Sequence, residues 1–245
     1  MRTINLLFHD IVKNQPLRNK YAVTEGFFLS LIKLIIAHGK FSLYQKDSGI
    51  TRVRIFIDDG YASTYTTAAP ILKAFNIKPY VAITVNKIDQ EGYLTTKQIQ
   101  ELHKNGWIIC SHCVSHVGLS IYINSVAQKN PRGGIYQDVG IDGQSTLLTQ
   151  QEVLYQLMES KNSISKIINC SVDNFVYPYG IYNRFILNGI KNMALYKNAY
   201  TCDFGVETET TNPFKIPRYI IENEIPYQKL LRDLKELSRN TQNRR

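Results

Sequence analysis

The chain has 245 residues, a formal net charge of +9 and a hydrophobic fraction of 44%. This length and apolar content suit one α/β domain with a sizeable core better than two small domains. The basic residues carry no zinc-finger, helix-turn-helix or RNP pattern, so nucleic acid is not an expected partner.

The first 14 residues contain a short apolar run that His9 and Asp10 interrupt, and no cleavage site follows. We therefore expect no signal peptide and, on that basis, a cytoplasmic location. The longest apolar candidate further along, residues 27–37, is interrupted by polar residues and is shorter than the ~20 residues that a membrane span needs. No transmembrane segment is predicted, and no feature of the sequence predicts an oligomeric state.

Six short β-type runs alternate with helical patterns along the chain. The predicted strands are residues 4–8, 53–57, 80–85, 107–110, 174–177 and 198–202. Helices are predicted to follow Thr24, Thr95 and Thr149, which can cap them, and to occupy residues 62–75 and 182–195. This alternation indicates parallel strands that are joined by helical crossovers.

Polar clusters directly follow several predicted strands, which is where barrel enzymes place their chemistry. We therefore predict an α/β fold, a distorted (β/α) barrel of about seven parallel strands. An open sheet remains an alternative, because its ligands also gather at the strand C-termini. The barrel domain is predicted to span residues 1–235, with a basic, disordered tail at 236–245 and a long loop at 121–148.

Two adjacent carboxylates, Asp58 and Asp59, follow the apolar run 53–57, and Gly60 can turn the chain behind them. Two like charges at the mouth of a buried strand cost free energy unless a counter-charge offsets them, and a metal ion could do so. The alternative interpretation is a solvated turn, because Asp and Gly are common turn formers.

His112 and His116 follow a later predicted strand, with three residues between them. Two imidazoles and one carboxylate form a ligand set that leaves coordination positions open for water and substrate. A histidine pair by itself is more typical of surface or packing residues. The pair Cys110 and Cys113 has no second C-x-x-C partner, so we interpret it as buried thiols rather than a zinc or redox site.

Three segments together resemble the motifs of a known family, the polysaccharide deacetylases of carbohydrate esterase family 4, also called the NodB-like domain. They are residues 56–61 (FIDDGY), 111–116 (SHCVSH) and 175–180 (FVYPYG). The resemblance covers about residues 1–235 and implies that Asp59, His112 and His116 hold a divalent metal. We expect zinc, with cobalt, nickel or iron also compatible with these ligands.

The same resemblance implies the roles of the other site residues. Asp58 would act as the general base on the attacking water, and the backbone N–H of Tyr179 would stabilise the oxyanion. Many family members begin the third motif with an arginine that holds the catalytic aspartate, but Val176 stands there in this chain. Arg218 is the best substitute.

No late histidine is present to supply the usual general acid. His9, which ends the first predicted strand, resembles the acid of the subset that deacetylates poly-β-1,6-N-acetylglucosamine, in which the motif order is permuted. His9 would then be the proton donor, with Asp10 orienting it. The alternative is that His9 only caps the strand.

The function implied by these features is the hydrolysis of N-acetyl groups from N-acetylhexosamine units of a glycan, with release of acetate. The missing third-motif arginine leaves open a catalytically impaired relative that acts as a glycan-binding module. An O-acetyl esterase, or an amidase for another bond, on the same scaffold is a further alternative.

Overall fold

The computed structural model describes residues 2–13, 17, 19–44, 50–119, 148–223 and 225–239, and the backbone of four short strands between residues 122 and 147. The strands in these parts of the chain are β1 (Thr3–Phe8), β2 (Ile11–Val12), β3 (Val23–Thr24), β4 (Phe41–Ser42), β5 (Thr51–Ile57), β6 (Tyr80–Ile83), β7 (Ile108–Ser111), β8 (Tyr122–Ile123), β9 (Val126–Ala127), β10 (Ile135–Gln137), β11 (Ser145–Leu147), β12 (Asn174–Val176), β13 (Asn198–Tyr200) and β14 (Tyr219–Ile220). The α-helices are α1 (Glu25–Ala37), α2 (Ala69–Ala74), α3 (Thr96–Lys104), α4 (Gln150–Ile168), α5 (Arg184–Asn192) and α6 (Tyr227–Arg239).

The main sheet is parallel throughout and has the strand order β13-β12-β7-β6-β5-β1-β14, with β4 added beside β5. It curls into a half-barrel with helices packed on it, so the predicted distorted (β/α) barrel is confirmed. A parallel bridge between Tyr200 and Ile216 brings the chain before β14 back to β13, at the other end of the strand order. Residues 216–220 therefore link the two ends of the strand order, because Ile216 pairs beside β13 and Tyr219 and Ile220 pair with β1.

Two apolar clusters hold the sheet, one on each face. Successive strand residues point to opposite faces, and Leu7, Phe56 and Val176 lie in a small cluster on the face away from the helices. The larger cluster joins the other face to the helices, for example through Phe8 and Phe28, whose rings meet edge-on at 4.9 Å. Burial on both faces explains why the strands contain nearly continuous apolar runs.

The three predicted helix caps are confirmed. Thr24, Thr95 and Thr149 each accept a hydrogen bond from a backbone N–H of the first turn, and the latter two form full capping boxes with Gln98 and Glu152. Residues 64–68 form a π-helical turn that continues into α2, within the predicted helix 62–75. In the described part of the chain, no helix is both long and apolar enough to cross a lipid bilayer.

Two predictions require correction. The tail predicted at 236–245 is wrong for residues 236–239, which belong to α6, because leucines at helical spacing, including the buried Leu237, pack this helix on the core. Residues 240–245 lie outside the described residues. The loop predicted at 121–148 contains two short antiparallel pairs, β8 with β9 and β10 with β11; the remaining residues of 121–147 are not described.

The strand register brings the predicted site residues to one edge of the sheet. Phe8 pairs with Ile57, and the amide of Asp58 donates to the carbonyl of Phe8 at 2.9 Å. Ile83 pairs with Ser111, so the chain leaves β6 and β7 at the same level. His9, the two aspartates and the two histidines therefore all follow carboxyl ends of neighbouring or nearby parallel strands.

Candidate metal centre

One oxygen of Asp59 lies between the two histidines. Its Oδ1 atom is 3.4 Å from Nε2 of His112 and 3.2 Å from Nε2 of His116. One potential ligand atom from each residue lies within 4.8 Å of the others, and these three residues form a group that could hold a metal ion. The three predicted metal ligands are thus brought together.

The backbone at these ligands has an unusual conformation. Asp59 and His116 have φ angles of 69° and 54°, and Gly60 follows with a φ of 73°. Such left-handed conformations are uncommon for residues with a Cβ atom and persist only where the surrounding structure enforces them. A hydrogen bond holds the turn at Asp59 and Gly60: the amide of Leu94 donates to the carbonyl of Gly60 at 2.8 Å.

His112 is oriented by the third motif. Its Nδ1 atom lies 2.8 Å from the carbonyl oxygen of Val176, in a buried contact in which the ring N–H donates to the carbonyl. This hydrogen bond fixes the tautomer of the neutral ring, which would carry its lone pair on Nε2, the atom that faces Asp59 and that a metal would bind. The ring of His116 meets the ring of His112 edge-on at 4.7 Å.

The electrostatics of Asp59 fit a cation. Burial by itself would raise the pKa of this carboxyl, but the imidazoles of His112 and His116 hold the pKa well below its usual range. Oδ1 of Asp59 is buried and, among the described residues, accepts no hydrogen bond of normal geometry. A buried carboxylate oxygen beside two imidazole nitrogens is a donor set that suits zinc and related divalent metals.

Asp58, the neighbouring carboxylate, is held by Arg218 rather than by the histidines. Nη1 of Arg218 lies 2.9 Å from both carboxylate oxygens, and Nε donates to the carbonyl of Thr201 at 2.9 Å. Asp58 is 2% exposed and Arg218 is 1% exposed, so this is a fully buried ion pair. The arginine predicted to replace the missing third-motif arginine therefore reaches Asp58 from the other end of the chain.

His9 lies at the same edge, directly after β1. Its ring packs against the ring of Tyr21 at 5.1 Å, and its Nδ1 is buried without a hydrogen-bond partner in the described part of the chain. Burial lowers the pKa of His9, although the charges of Asp59 and Asp58 oppose this shift. Asp10, the predicted orienting residue, accepts a hydrogen bond from Ser63 at 2.6 Å.

Tyr179 lies beside His116. Its ring meets the ring of His116 edge-on at 4.7 Å, and its φ angle is 58°. The turn is tight because Gly180 abuts the chain after β13, where a Cβ atom on this glycine would lie 2.5 Å from Cβ of Cys202. The third motif thus reaches the site through the ring of Tyr179.

Several contacts around the site are absent from the sequence-based prediction. Val176 and Thr201 act through their backbone carbonyls. Every residue type has this group, so the sequence does not mark these two positions. Gln156 of α4 bonds the loop between the two histidines, and no local pattern marks it. Cys110 and Cys113 are confirmed as buried free thiols, and they face different apolar clusters.

Residues 45–197 match the family model of the polysaccharide deacetylases, which covers more than half of the chain. A poly-β-1,6-N-acetyl-D-glucosamine N-deacetylase from Staphylococcus aureus is 24% identical over 236 residues, which cover 90% of this chain and 74% of that protein. The Bacillus subtilis protein YxkH, described as a putative polysaccharide deacetylase, is 24% identical over 214 residues, 83% of this chain and 63% of that protein.

Solved structures share the fold. The Streptococcus pyogenes deacetylase PplD, in complex with acetate, superposes with a TM-score of 0.75 at 18% identity, covering 95% of this chain and 98% of that one. IcaB from Ammonifex degensii superposes with a TM-score of 0.70 at 14% identity, covering 98% of this chain and 97% of that one. Together with the family match, which includes the segments that carry Asp58, Asp59, His112 and His116, these findings identify the chain: it belongs to the polysaccharide deacetylase family.

Proposed function

We propose that this protein is a metal-dependent hydrolase that removes N-acetyl groups from N-acetylhexosamine units of a glycan and releases acetate. One observation carries the proposal. Asp59, His112 and His116 converge, while the adjacent Asp58 is held by Arg218. Two neighbouring carboxylates in different environments can take two different roles, one as a metal ligand and one as a base.

The metal site would supply the electrophilic part of the reaction. A divalent metal bound there acts as a Lewis acid toward the acetamide carbonyl and makes water a better nucleophile. Zinc is our first choice, because two imidazoles and one carboxylate are typical ligands of catalytic zinc sites. The hydrogen bond from His112 to Val176 would keep Nε2 directed at the ion.

Asp58 would take the proton from the attacking water. Its carboxylate is adjacent in sequence to Asp59, so the water can be near both groups. Arg218 would hold the carboxylate in place, and the low exposure of the pair would exclude bulk water that competes for the proton. Arg218 is a positioning residue in this proposal, because it acts on Asp58 and not on the substrate.

His9 would deliver a proton to the leaving amine, from the opposite side of the acetamide. Burial lowers the pKa of His9, so its cationic form is scarce in the free site at neutral pH. The negative charge that develops on the former carbonyl oxygen, as an oxyanion, would favour the cation at the moment when it is needed. The backbone N–H of Tyr179 would donate to the same oxyanion, a contribution that is typically worth several kcal/mol.

The substrate class rests on the relatives. The S. aureus relative is named as a deacetylase of poly-β-1,6-N-acetyl-D-glucosamine, and the alignment covers 90% of this chain. We therefore propose a polymer or oligomer of N-acetylglucosamine as the substrate. The position of His9 at the end of the first strand supports the same subset of the family.

The contact of Arg218 with Asp58 supports the proposal over the binding-module alternative, which the arginine missing from the third motif motivated. Among the described residues, no contact in the site favours an ester over an amide.

The test is an acetate-release assay with the zinc-loaded protein. The substrates are β-1,6-linked N-acetylglucosamine oligomers, chitooligosaccharides and an O-acetylated sugar. We expect release from the N-acetyl oligomers. Release from the ester alone would replace the proposal with the esterase, and stoichiometric metal without any release would replace it with the binding module.

A further inference from the structure

The loop between the two histidines is held by one side chain from α4. Oε1 of Gln156 accepts hydrogen bonds from the backbone N–H of Val114 at 3.0 Å and of Ser115 at 3.1 Å. Nε2 of Gln156 donates to Oγ of Ser115 at 3.0 Å. Gln156 is only 8% exposed, so these bonds form away from water. One side-chain amide thus satisfies two consecutive peptide groups and a hydroxyl of the loop.

The opposite side of the loop is held by backbone bonds. The carbonyl of Cys113 accepts from the amide of Val85 at 3.2 Å, and the carbonyl of Val114 accepts from the amide of Asn86 at 2.8 Å. The loop is therefore clamped between the segment after β6 and the side chain of Gln156. His116 lies next to the clamped residues and has a left-handed backbone, which requires such external support.

Gln156 is itself fixed by its helix. The hydroxyl of Ser160 donates to the carbonyl of Gln156 at 2.7 Å and lies 2.6 Å from the hydroxyl of Ser111, at the end of β7. The hydroxyl of Tyr196 donates to the carbonyl of Leu157 at 2.7 Å. These buried bonds set the position of α4 relative to the strand that leads into His112.

We propose that Gln156 is a positioning residue of the metal centre, one that sets the geometry of His116 by bonding the loop before it. The inference rests on the proposed function, because it needs a metal at Asp59, His112 and His116. Removing the side-chain amide would leave two buried backbone N–H groups without a hydrogen-bond acceptor, which costs free energy. The loop would therefore shift its conformation to pair these groups with other acceptors. His116 would move with it.

The decisive variant is Gln156→Met, which keeps the length of the side chain and removes its hydrogen bonds. Gln156→Glu is the rescue variant, because a carboxylate still accepts from both N–H groups and from the serine hydroxyl. Gln100→Met is the matched control, since Gln100 bonds the carbonyl of Ile167 on the protein surface, at the far end of α4. All are compared with the wild-type protein.

Zinc affinity is measured by competition with a chromophoric chelator, and the visible spectrum of the cobalt-loaded protein reports the ligand geometry. Unfolding of the metal-free proteins is followed separately. We expect Gln156→Met to lose about tenfold or more in zinc affinity, as is typical for groups that orient metal ligands, and to change the cobalt spectrum. Gln156→Glu and Gln100→Met should keep the affinity and the spectrum of the wild type.

Unchanged affinity and spectrum in a folded Gln156→Met protein would overturn the inference and leave the proposed function standing. If the Met variant does not fold, the Glu variant decides: loss of zinc affinity in that folded protein would overturn the inference. A wild-type protein that binds no zinc or cobalt would instead overturn the metal centre, and the inference with it.

Discussion

Nη1 of Arg218 lies 2.9 Å from both carboxylate oxygens of Asp58, although the two residues are 160 positions apart in the chain. Both side chains are almost completely buried. Breaking a buried ion pair by removing one partner is strongly destabilising, because it leaves an uncompensated charge away from water. The pair therefore connects the stability of the half-barrel to the placement of the proposed base.

Replacing Arg218 with Met should lower the free energy of unfolding by about 3–5 kcal/mol, as expected when a buried pair loses one member. Denaturant unfolding checks this value. Lys20→Met is the control, because Lys20 forms an exposed ion pair with Glu222 that should contribute little to stability. A loss in Arg218→Met as small as in the control would contradict the structural role of the pair.

Asp58→Asn should reduce kcat by about two to four orders of magnitude, the usual contribution of a general base, and should leave the metal bound. Metal content and acetate release are measured on the same preparation. Asp59→Asn, one residue away, should instead lose the metal. Near-normal turnover in the Asp58→Asn protein would show that another group takes the proton.

Metal removal by a chelator should abolish activity and leave the circular dichroism spectrum unchanged. The ligands follow strands of a packed core, so the fold does not depend on the ion. Adding zinc back should raise Tm. Binding should add about 2.7 kcal/mol to the free energy of unfolding when free zinc exceeds its Kd about a hundredfold. His112→Ala should remove this increase. A Tm that does not respond to zinc in the wild-type protein would argue against the site.

Gly180→Ala should destabilise the protein and reduce activity. The new Cβ atom would lie 2.5 Å from Cβ and 2.6 Å from the nitrogen of Cys202, and the φ angle of 69° is unfavourable for alanine. We expect a loss of at least about 1–2 kcal/mol from the backbone conformation alone. Gly26→Ala is the control, because nothing lies within 4 Å of its added Cβ atom, and it should be neutral or stabilising by up to about 1 kcal/mol. Thermal and denaturant unfolding distinguish the two. An equally stable Gly180→Ala protein would show that the turn can shift away from Cys202.

The sequence by itself determined the elements whose signals are local. The caps at Thr24, Thr95 and Thr149 each act on residues within one helical turn, so a short window of sequence is enough to predict them. The apolar runs predicted the main parallel strands, and parallel strands place their carboxyl ends at one edge. For this reason the sequence alone predicts that Asp59 and His112 lie close together.

The tertiary structure alone decided the contacts that depend on how distant segments close on one another. Strand β14 has two residues and no periodicity, yet it follows Arg218, whose approach to Asp58 needs the return of the chain across the half-barrel. Val176 acts through its carbonyl, which every residue type has, and Gln156 acts from a helix about forty positions after the loop it bonds. Such contacts are set by packing rather than by neighbouring residues, so no local pattern encodes them.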